Sequence, residues 1–159
     1  MMFVEQAKPN DLSKVRALIV RGLTQRWGQY EPSFNPDLET FGDFYADALV
    51  LVARTQDDQI IGCGILIQET ENTGRIVRMS VMAERQRTGI GTSILKSLLE
   101  RANALGYKDV VLETTAAWES ANSFYTQQGF VPTREIDGDQ HFQLVLKEGF
   151  RSNDSSASG

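Results

Sequence analysis

Phe3 to Ala7 has the pattern of a short strand, and the turn Pro9-Asn10-Asp11 sets an Asn or Asp where it can cap a following helix. Leu12, Val15, Leu18, Ile19 and Leu23 then recur at helical spacing, predicting one amphipathic helix over about 11–24. Arg26 to Pro36 has no clean period in spite of Trp27, Tyr30 and Phe34, and reads as a loop. Pro36 suits the first turn of a second, short helix reaching about Ala46.

Leu49 to Ala53 and Ile60 to Ile67 are aliphatic, β-branched runs separated by Gln56-Asp57-Asp58-Gln59, a hairpin signal. Gly74 to Val81 is a third strand in succession. Ile90, Ile94, Leu95, Leu98, Leu99, Ala102 and Leu105 mark a long helix with a buried stripe, closed by Gly106. Val110 to Thr114 is a strand and Ser120 to Gln128 a helix stopped by Gly129. Phe130 to Ile136 and His141 to Lys147 form a last hairpin around Asp137-Gly138-Asp139. The order β-α-α-β-β-β-α-β-α-β-β predicts an α/β fold, a mixed, largely antiparallel sheet with helices packed on it. Residues 1–148 then form the folded domain. Residues 149–159, ending in Ser-rich RSNDSSASG, read as a disordered tail.

Composition narrows the chemistry. At 159 residues with 41% hydrophobic and 23% charged side chains, the chain is one ordinary globular domain with a tail. Its longest apolar stretch, Ala48 to Ala53, is far below the roughly 20 residues that span a bilayer, and the N-terminus lacks a basic-then-apolar export pattern. The expectation is a cytoplasmic protein with no membrane association. One cysteine, Cys63, and one histidine, His141, preclude a zinc cluster, so no metal site is expected. The net charge of −5 argues against a general nucleic-acid binder. Its distribution is uneven: Arg75 to Lys108 carries seven basic and two acidic residues, against six and eleven before it and three and eight after it. A basic segment in an acidic chain suits a small polyanion, with acidic surface left for something cationic.

The segment VMAERQRTGIGTSIL, Val81 to Leu95, is a strand, a basic glycine-containing loop and a helix start. Glycines let successive N–H groups turn toward one concavity, and the helix adds the positive end of its dipole, so the loop can cradle phosphate with Arg85 and Arg87 at its rim. A Walker A loop would need Lys-Ser/Thr after the last glycine, where Thr92-Ser93 stands. A dinucleotide fingerprint would need a small residue at Ile94 and a βαβ setting.

Gln86-Arg87-Thr88-Gly89-Ile90-Gly91 resembles the Q/R-x-x-G-x-G/A acyl-CoA signature of the GCN5-related N-acetyltransferase (GNAT) superfamily. Ala121 to Phe130 resembles its A-x-x-x-Y-x-x-x-G-F segment, Met79-Ser80-Val81 the end of its fourth strand, and Glu5 to Leu12 its common start. The resemblance implies a GNAT-like sheet with helices on both faces, and acetyl-CoA as acyl donor. It implies that Gln86, Arg87, Thr88, Gly89, Ile90, Gly91 and Thr92 hold the cofactor. Its pantetheine arm would pair with the backbone of Met79 and Val81, where an N–H would polarise the thioester carbonyl.

The same resemblance makes Tyr125 the acid that protonates the departing thiolate. A phenol of pKa about 10 is a weaker acid than a thiol of about 8.5, so the full transfer is uphill by about 1.5 pKa units, and the hydroxyl serves by donating to the charge that develops on the departing sulfur. Many members carry Asn where this chain has Trp118, so Asn122, four residues on, is the candidate replacement for a pantetheine contact. An alkylammonium must lose a proton before it attacks, which calls for a base. Glu113 and Glu31 are the candidates; the fourth strand, where some relatives carry Glu, offers Arg78.

Trp27, Tyr30 and Phe34, with Glu31, lie where the family builds its acceptor pocket, and aromatic faces with a carboxylate suit a cationic amine. His141 reads as structural, and Cys63 has no partner base to make it a nucleophile. The implied reaction is acetyl transfer to a primary amine, small-molecule or peptide, by direct attack in a ternary complex. Transfer of a longer acyl group and a non-catalytic acyl-CoA sensor are the alternatives. Since members often pair through varied surfaces, a homodimer is among the states the resemblance allows.

Overall fold

The structure is a computed structural model, and it describes residues 2–147. The tail expected over 149–159 lies outside the described residues. The elements run β1 (Met2–Gln6), α1 (Leu12–Trp27), the single turns α2 (Pro36–Glu39) and α3 (Phe41–Phe44), β2 (Leu49–Thr55), β3 (Ile60–Gln68) and β4 (Thr73–Val81). There follow α4 (Ile90–Ala104), β5 (Asp109–Thr115), α5 (Glu119–Gln127), β6 (Val131–Ile136) and β7 (Asp139–Val145). The order is the expected one, with the second helix split at Thr40.

Most bounds shift from the sequence reading by one or two residues, and three of the differences have a local cause. The first helix continues to Trp27, because the left-handed stop is Gly28, at φ 85°. Leu105 is not on the buried stripe: α4 ends at Ala104, the chain turns away at Gly106 (φ 92°), and Leu105 is left 63% exposed. The last hairpin turns on two residues, Asp137 and Gly138, both at positive φ, so β7 starts at Asp139 rather than His141.

The strand order is β1-β2-β3-β4-β5-β7-β6. β4 and β5 pair in parallel over Thr73–Arg75 and Asp109–Val111, while β1–β2, β2–β3, β5–β7 and β6–β7 pair antiparallel. The sheet is thus mixed and largely antiparallel. The chain forms two compact units, one built from Met1–Ile67 with Arg78–Leu98, the other from Gln68–Val77 with the residues from Leu99 onward.

In the first unit two glycines of β3 let α4 approach. A Cβ on Gly62 would lie 2.8 Å from Ile94 Cδ1, and one on Gly64 would lie 2.7 Å from Met79 Sδ and 2.8 Å from Leu98 Cδ1. Side chains alternate along a strand, so Cys63 between them points to the opposite face, where it is fully buried. Burial pushes its thiol up to about 12, against a smaller lowering by the Ser80 backbone. The first unit therefore has α4 on one face, while Ser80 of β4 approaches Gly22 of α1 on the other.

The opening strand is clasped by one guanidinium. Arg54 of β2 donates to Glu5 Oε2 at 2.7 Å, to Asp11 Oδ2 at 2.7 Å and to Asp58 Oδ1 at 3.0 Å, with Arg54 and Asp11 both buried. The Arg54 hydrogen bond holds the Asp11 carboxyl below its ordinary 3.8, helped by the Lys8 N–H and opposed by burial. A lowered carboxyl stabilises above its unfolded value and loses that contribution as pH falls through the folded value. Asp11→Asn should therefore cost about 2 kcal/mol at pH 6, as for other charged hydrogen bonds near a surface. Urea titrations should show the difference from the parent shrinking as the pH is lowered below 3.8. A deficit of equal size throughout would separate the effect from the ion pair.

The second unit packs Val110 and Leu112 of β5 and Phe142 of β7 into a core with Tyr125 and Phe130. Gly129, at φ 99°, ends α5 and brings Phe130 into that core.

Candidate active site

After β4 the chain makes a 3-10 turn over Ala83–Arg85 and then a loop of two left-handed residues, Arg87 (φ 65°) and Gly89 (φ 88°). A non-glycine residue at positive φ is uncommon, and here it turns the loop toward the start of α4. Gln86 Nε2 donates to the Val81 carbonyl at 3.2 Å, tying the loop to the end of β4, and Thr88 Oγ1 donates to the Arg85 carbonyl. The buried Ile90 anchors the helix start. Ser93 N–H donates to the Gly89 carbonyl at 3.0 Å as the first helical bond, so the N–H groups of Ile90, Gly91 and Thr92 precede the helical ladder. Arg85 and Arg87 stand exposed beside them. Three amide donors, a helix dipole and two mobile cations fit a diphosphate.

β4 itself carries a left-handed residue. Arg78 has φ 55° immediately before Met79, Ser80 and Val81, a strand position where only strong side-chain anchoring holds such a conformation. Its Nε donates to Asp37 Oδ2 at 3.0 Å, and its Nη2 to Asp37 Oδ1 at 2.7 Å and Asn35 Oδ1 at 3.0 Å. Tyr45 donates to the same carboxylate at 2.5 Å. Burial raises the Asp37 carboxyl, yet the hydrogen bonds from Arg78 and Tyr45 outweigh it, and the net displacement is downward. Burial and then the Asp37 hydrogen bond push the Tyr45 phenol up. The sequence reading missed this cluster, whose partners are 41 residues apart; its one signal was an arginine where related strands carry an acid.

The same cluster ties down the loop expected to form the acceptor pocket, since Asn35 Nδ2 donates to the Glu31 carbonyl at 2.9 Å. Within that loop the side chains form local bonds of their own. Tyr30 donates to Glu39 at 2.5 Å and lies under Arg16, 5.9 Å from the ring centre. The Glu31 carboxylate accepts from the Ser33 hydroxyl at 2.9 Å and its N–H at 3.3 Å. Trp27 ends α1 at 58% exposure, and Phe34 is 81% exposed.

In the second unit Tyr125 lies on α5, its ring edge-on to Phe124 and Phe130. Asn122 Nδ2 donates to the carbonyls of Thr115, Ala116 and Trp118, so its amino group organises the turn leading into α5 and only its oxygen remains for a ligand. Glu113 of β5 is ion-paired with Arg75 of β4, which Glu69 also holds at 2.8 Å. His141 of β7 sits in register with Glu113. No helix among the described residues is long and apolar enough to cross a membrane, and no group of three or more His, Cys, Asp or Glu there could hold a metal ion.

Residues 14–130 match the model of the Acetyltransferase (GNAT) family. The chain belongs to that family. Among solved structures this GNAT chain is similar to a GNAT-family acetyltransferase from Staphylococcus aureus Mu50, with a TM-score of 0.82 at 17% identity, covering 92% of this chain and all of the other. It is also similar to the PaiA N-acetyltransferase of Thermoplasma acidophilum in complex with coenzyme A, with a TM-score of 0.78 at 16% identity, covering 91% of this chain and 99% of the other. At such identities the likeness establishes the fold. Among curated proteins, the "Uncharacterized N-acetyltransferase YsnE" of Bacillus subtilis is 32% identical over 77 residues, 47% of this chain and 51% of that protein. The chain spans about half the length of the curated relatives it matches first.

Proposed function

We propose that this GNAT chain is an acetyl-CoA-dependent N-acetyltransferase that passes acetyl directly from the thioester to a primary amine in a ternary complex, with residues 1–148 as its acyltransferase domain. The observation that carries the reading is the loop Gln86–Gly91, where Arg87 and Gly89 at positive φ bring amide donors, the start of a 15-residue helix and two arginines to one place. The coenzyme A complex of the PaiA structure supports the choice of donor. Gln86, Arg87, Thr88, Gly89, Ile90, Gly91 and Thr92 would hold the diphosphate. Met79 and Val81 would receive the pantetheine through their main chain, and an N–H there would stabilise the oxyanion that develops as the amine attacks.

The amine gives up a proton as the new C–N bond forms; the C–S bond then breaks, and Tyr125 protonates the sulfur. Of the two candidate bases, Glu31 is the better supported, since neutral donors of Ser33 are its partners while Arg75 occupies an oxygen of Glu113. Trp27, Tyr30 and Phe34 would line the amine's approach, and Asn122 would contribute its free oxygen to the pantetheine. A cytoplasmic setting, where acetyl-CoA is available, and a small-molecule or peptide amine as partner complete the reading.

Calorimetric titration with acetyl-CoA should give micromolar affinity, about 8 kcal/mol, weakened when the 3′-phosphate is removed, and an amine panel should then release thiol. Binding without thiol release from any amine would make the chain an acyl-CoA sensor. No binding would overturn the donor assignment.

A further inference from the structure

We propose that Asp37 and Cys63 are positioning residues for acetyl transfer: together they clamp the left-handed turn at Arg78 and so aim the main chain of Met79 and Val81 at the thioester arm. The inference rests on the acetyltransferase reading above and adds the residues that hold its oxyanion donor in place.

An arginine at φ 55° inside a strand is held against its own backbone preference. A left-handed residue there acts as a bulge, which re-aims the residues that follow it. The grip on its side chain is complete. Asp37 takes the Arg78 Nε at 3.0 Å and Nη2 at 2.7 Å, Asn35 takes Nη2 at 3.0 Å, and Tyr45 fixes the carboxylate with a 2.5 Å bond. Asp37 and Tyr45 are both buried, so water competes little for these bonds.

Cys63 grips the same turn through the main chain. Its thiol donates to the Arg78 carbonyl at 3.6 Å, and its sulfur accepts from the Ser80 N–H. The Ser80 carbonyl also turns to β3, 3.3 Å from where a Cβ on Gly62 would stand, and the Met82 N–H donates to the Ile61 carbonyl of β3 at 2.8 Å. Arg78, Ser80 and Met82 thus all present main-chain groups to β3. Successive residues of a strand turn their N–H and C=O to opposite edges, so those of Met79 and Val81 face the other edge of β4, whose pairing with β5 has ended at Arg75.

A donor that stabilises an oxyanion must already be in place as the charge develops, because reorganising it during the step forfeits the gain. Asp37, Tyr45, Cys63 and Arg78–Val81 belong to one compact unit, so the clamp and the segment it aims move together.

Glycine takes φ 55° without an anchor, which supplies the test. In an Asp37→Asn background, Arg78→Gly and Arg78→Ala remove the same guanidinium, and only the glycine keeps the turn. Thiol release with an amine active on the parent should give the glycine double variant a kcat within about 3-fold of the parent, and the alanine double variant one lowered roughly 100-fold, the scale of a misplaced reacting group. Calorimetric affinity for acetyl-CoA should stay within about 3-fold in both, since the loop Gln86–Gly91 is untouched and the lost interaction is one made in the transition state. Cys63→Ala deletes the main-chain grip alone and keeps the test open where the double variants fail to fold; its kcat should fall about 10-fold at parental affinity. Equal turnover of the glycine and alanine variants, or parental kcat in Cys63→Ala, would overturn the clamp and leave the acetyltransferase reading standing. Release from no amine by the parent would overturn both.

Discussion

Tyr125→Phe should lower kcat about 100-fold while the affinity for acetyl-CoA stays at the parental value. The substitution removes one oxygen and keeps the ring, which is what the second unit's core uses: Tyr125 is 8% exposed, with ring centres of Phe124, Phe130 and Phe142 at 5.1, 5.8 and 6.0 Å. Phenylalanine can make the same edge contacts, so the variant should fold around the same core. Tyr125→Ala would confuse the issue, because truncating a buried aromatic costs roughly 3–5 kcal/mol of stability. The kinetic loss follows from the role assigned to the hydroxyl: a positioned acid that donates in the transition state contributes about 100-fold or more. Steady-state rates at saturating acetyl-CoA, with calorimetric affinity measured beside them, decide the matter. Parental turnover in the variant would leave Tyr125 as a core residue alone.

Gly89→Val should weaken acetyl-CoA binding about 100-fold, or roughly 3 kcal/mol. Valine is a poor occupant of φ 88°, and forcing it there costs about 1–3 kcal/mol or rearranges the loop. Crowding within the free chain plays no part, since a Cβ at Gly89 meets nothing within 4 Å. The same open space is where a ligand on the loop would lie, so valine acts both through the backbone and by projecting over the amide donors. Gly89→Asn separates the two, because asparagine tolerates the left-handed region. Affinity recovered in the Asn variant would assign the effect to backbone conformation; affinity as poor as with valine would assign it to occupied space. Normal binding in both would remove the loop from the cofactor site.

Element order and most strand and helix bounds were legible because they rest on local signals. The aliphatic run Leu49–Ala53, the glycines Gly106 and Gly129 that close two helices and the Asp137-Gly138 turn all act within a few residues. The tight loop Gln86–Gly91 before α4 was legible for the same reason. The position of β7 between β5 and β6, and the parallel pairing of β4 with β5, depend on partners distant in sequence. Leu105 deceived because helical periodicity continues one residue past the point where the backbone leaves the helix. In the candidate site, the Arg78–Asp37–Tyr45 cluster and the pairing of Tyr30 with Glu39 were invisible. A carboxylate's partner is chosen by packing, and the loop containing Glu31 and Asp37 has no period that fixes where its side chains turn.

The buried Cys63 makes this chain well suited to chemical clocking. It is the one thiol in the sequence, lies at 0% exposure in β3, and its pKa is pushed up to about 12. A reagent that reports released coenzyme A through its sulfur will therefore meet almost no thiolate from the folded protein, and turnover can be followed continuously against a dark background. The same silence turns into a signal when β3 opens. The rate at which Cys63 becomes labelled then counts openings of the strand, and its slowing on addition of a ligand measures how strongly that ligand keeps the first unit closed.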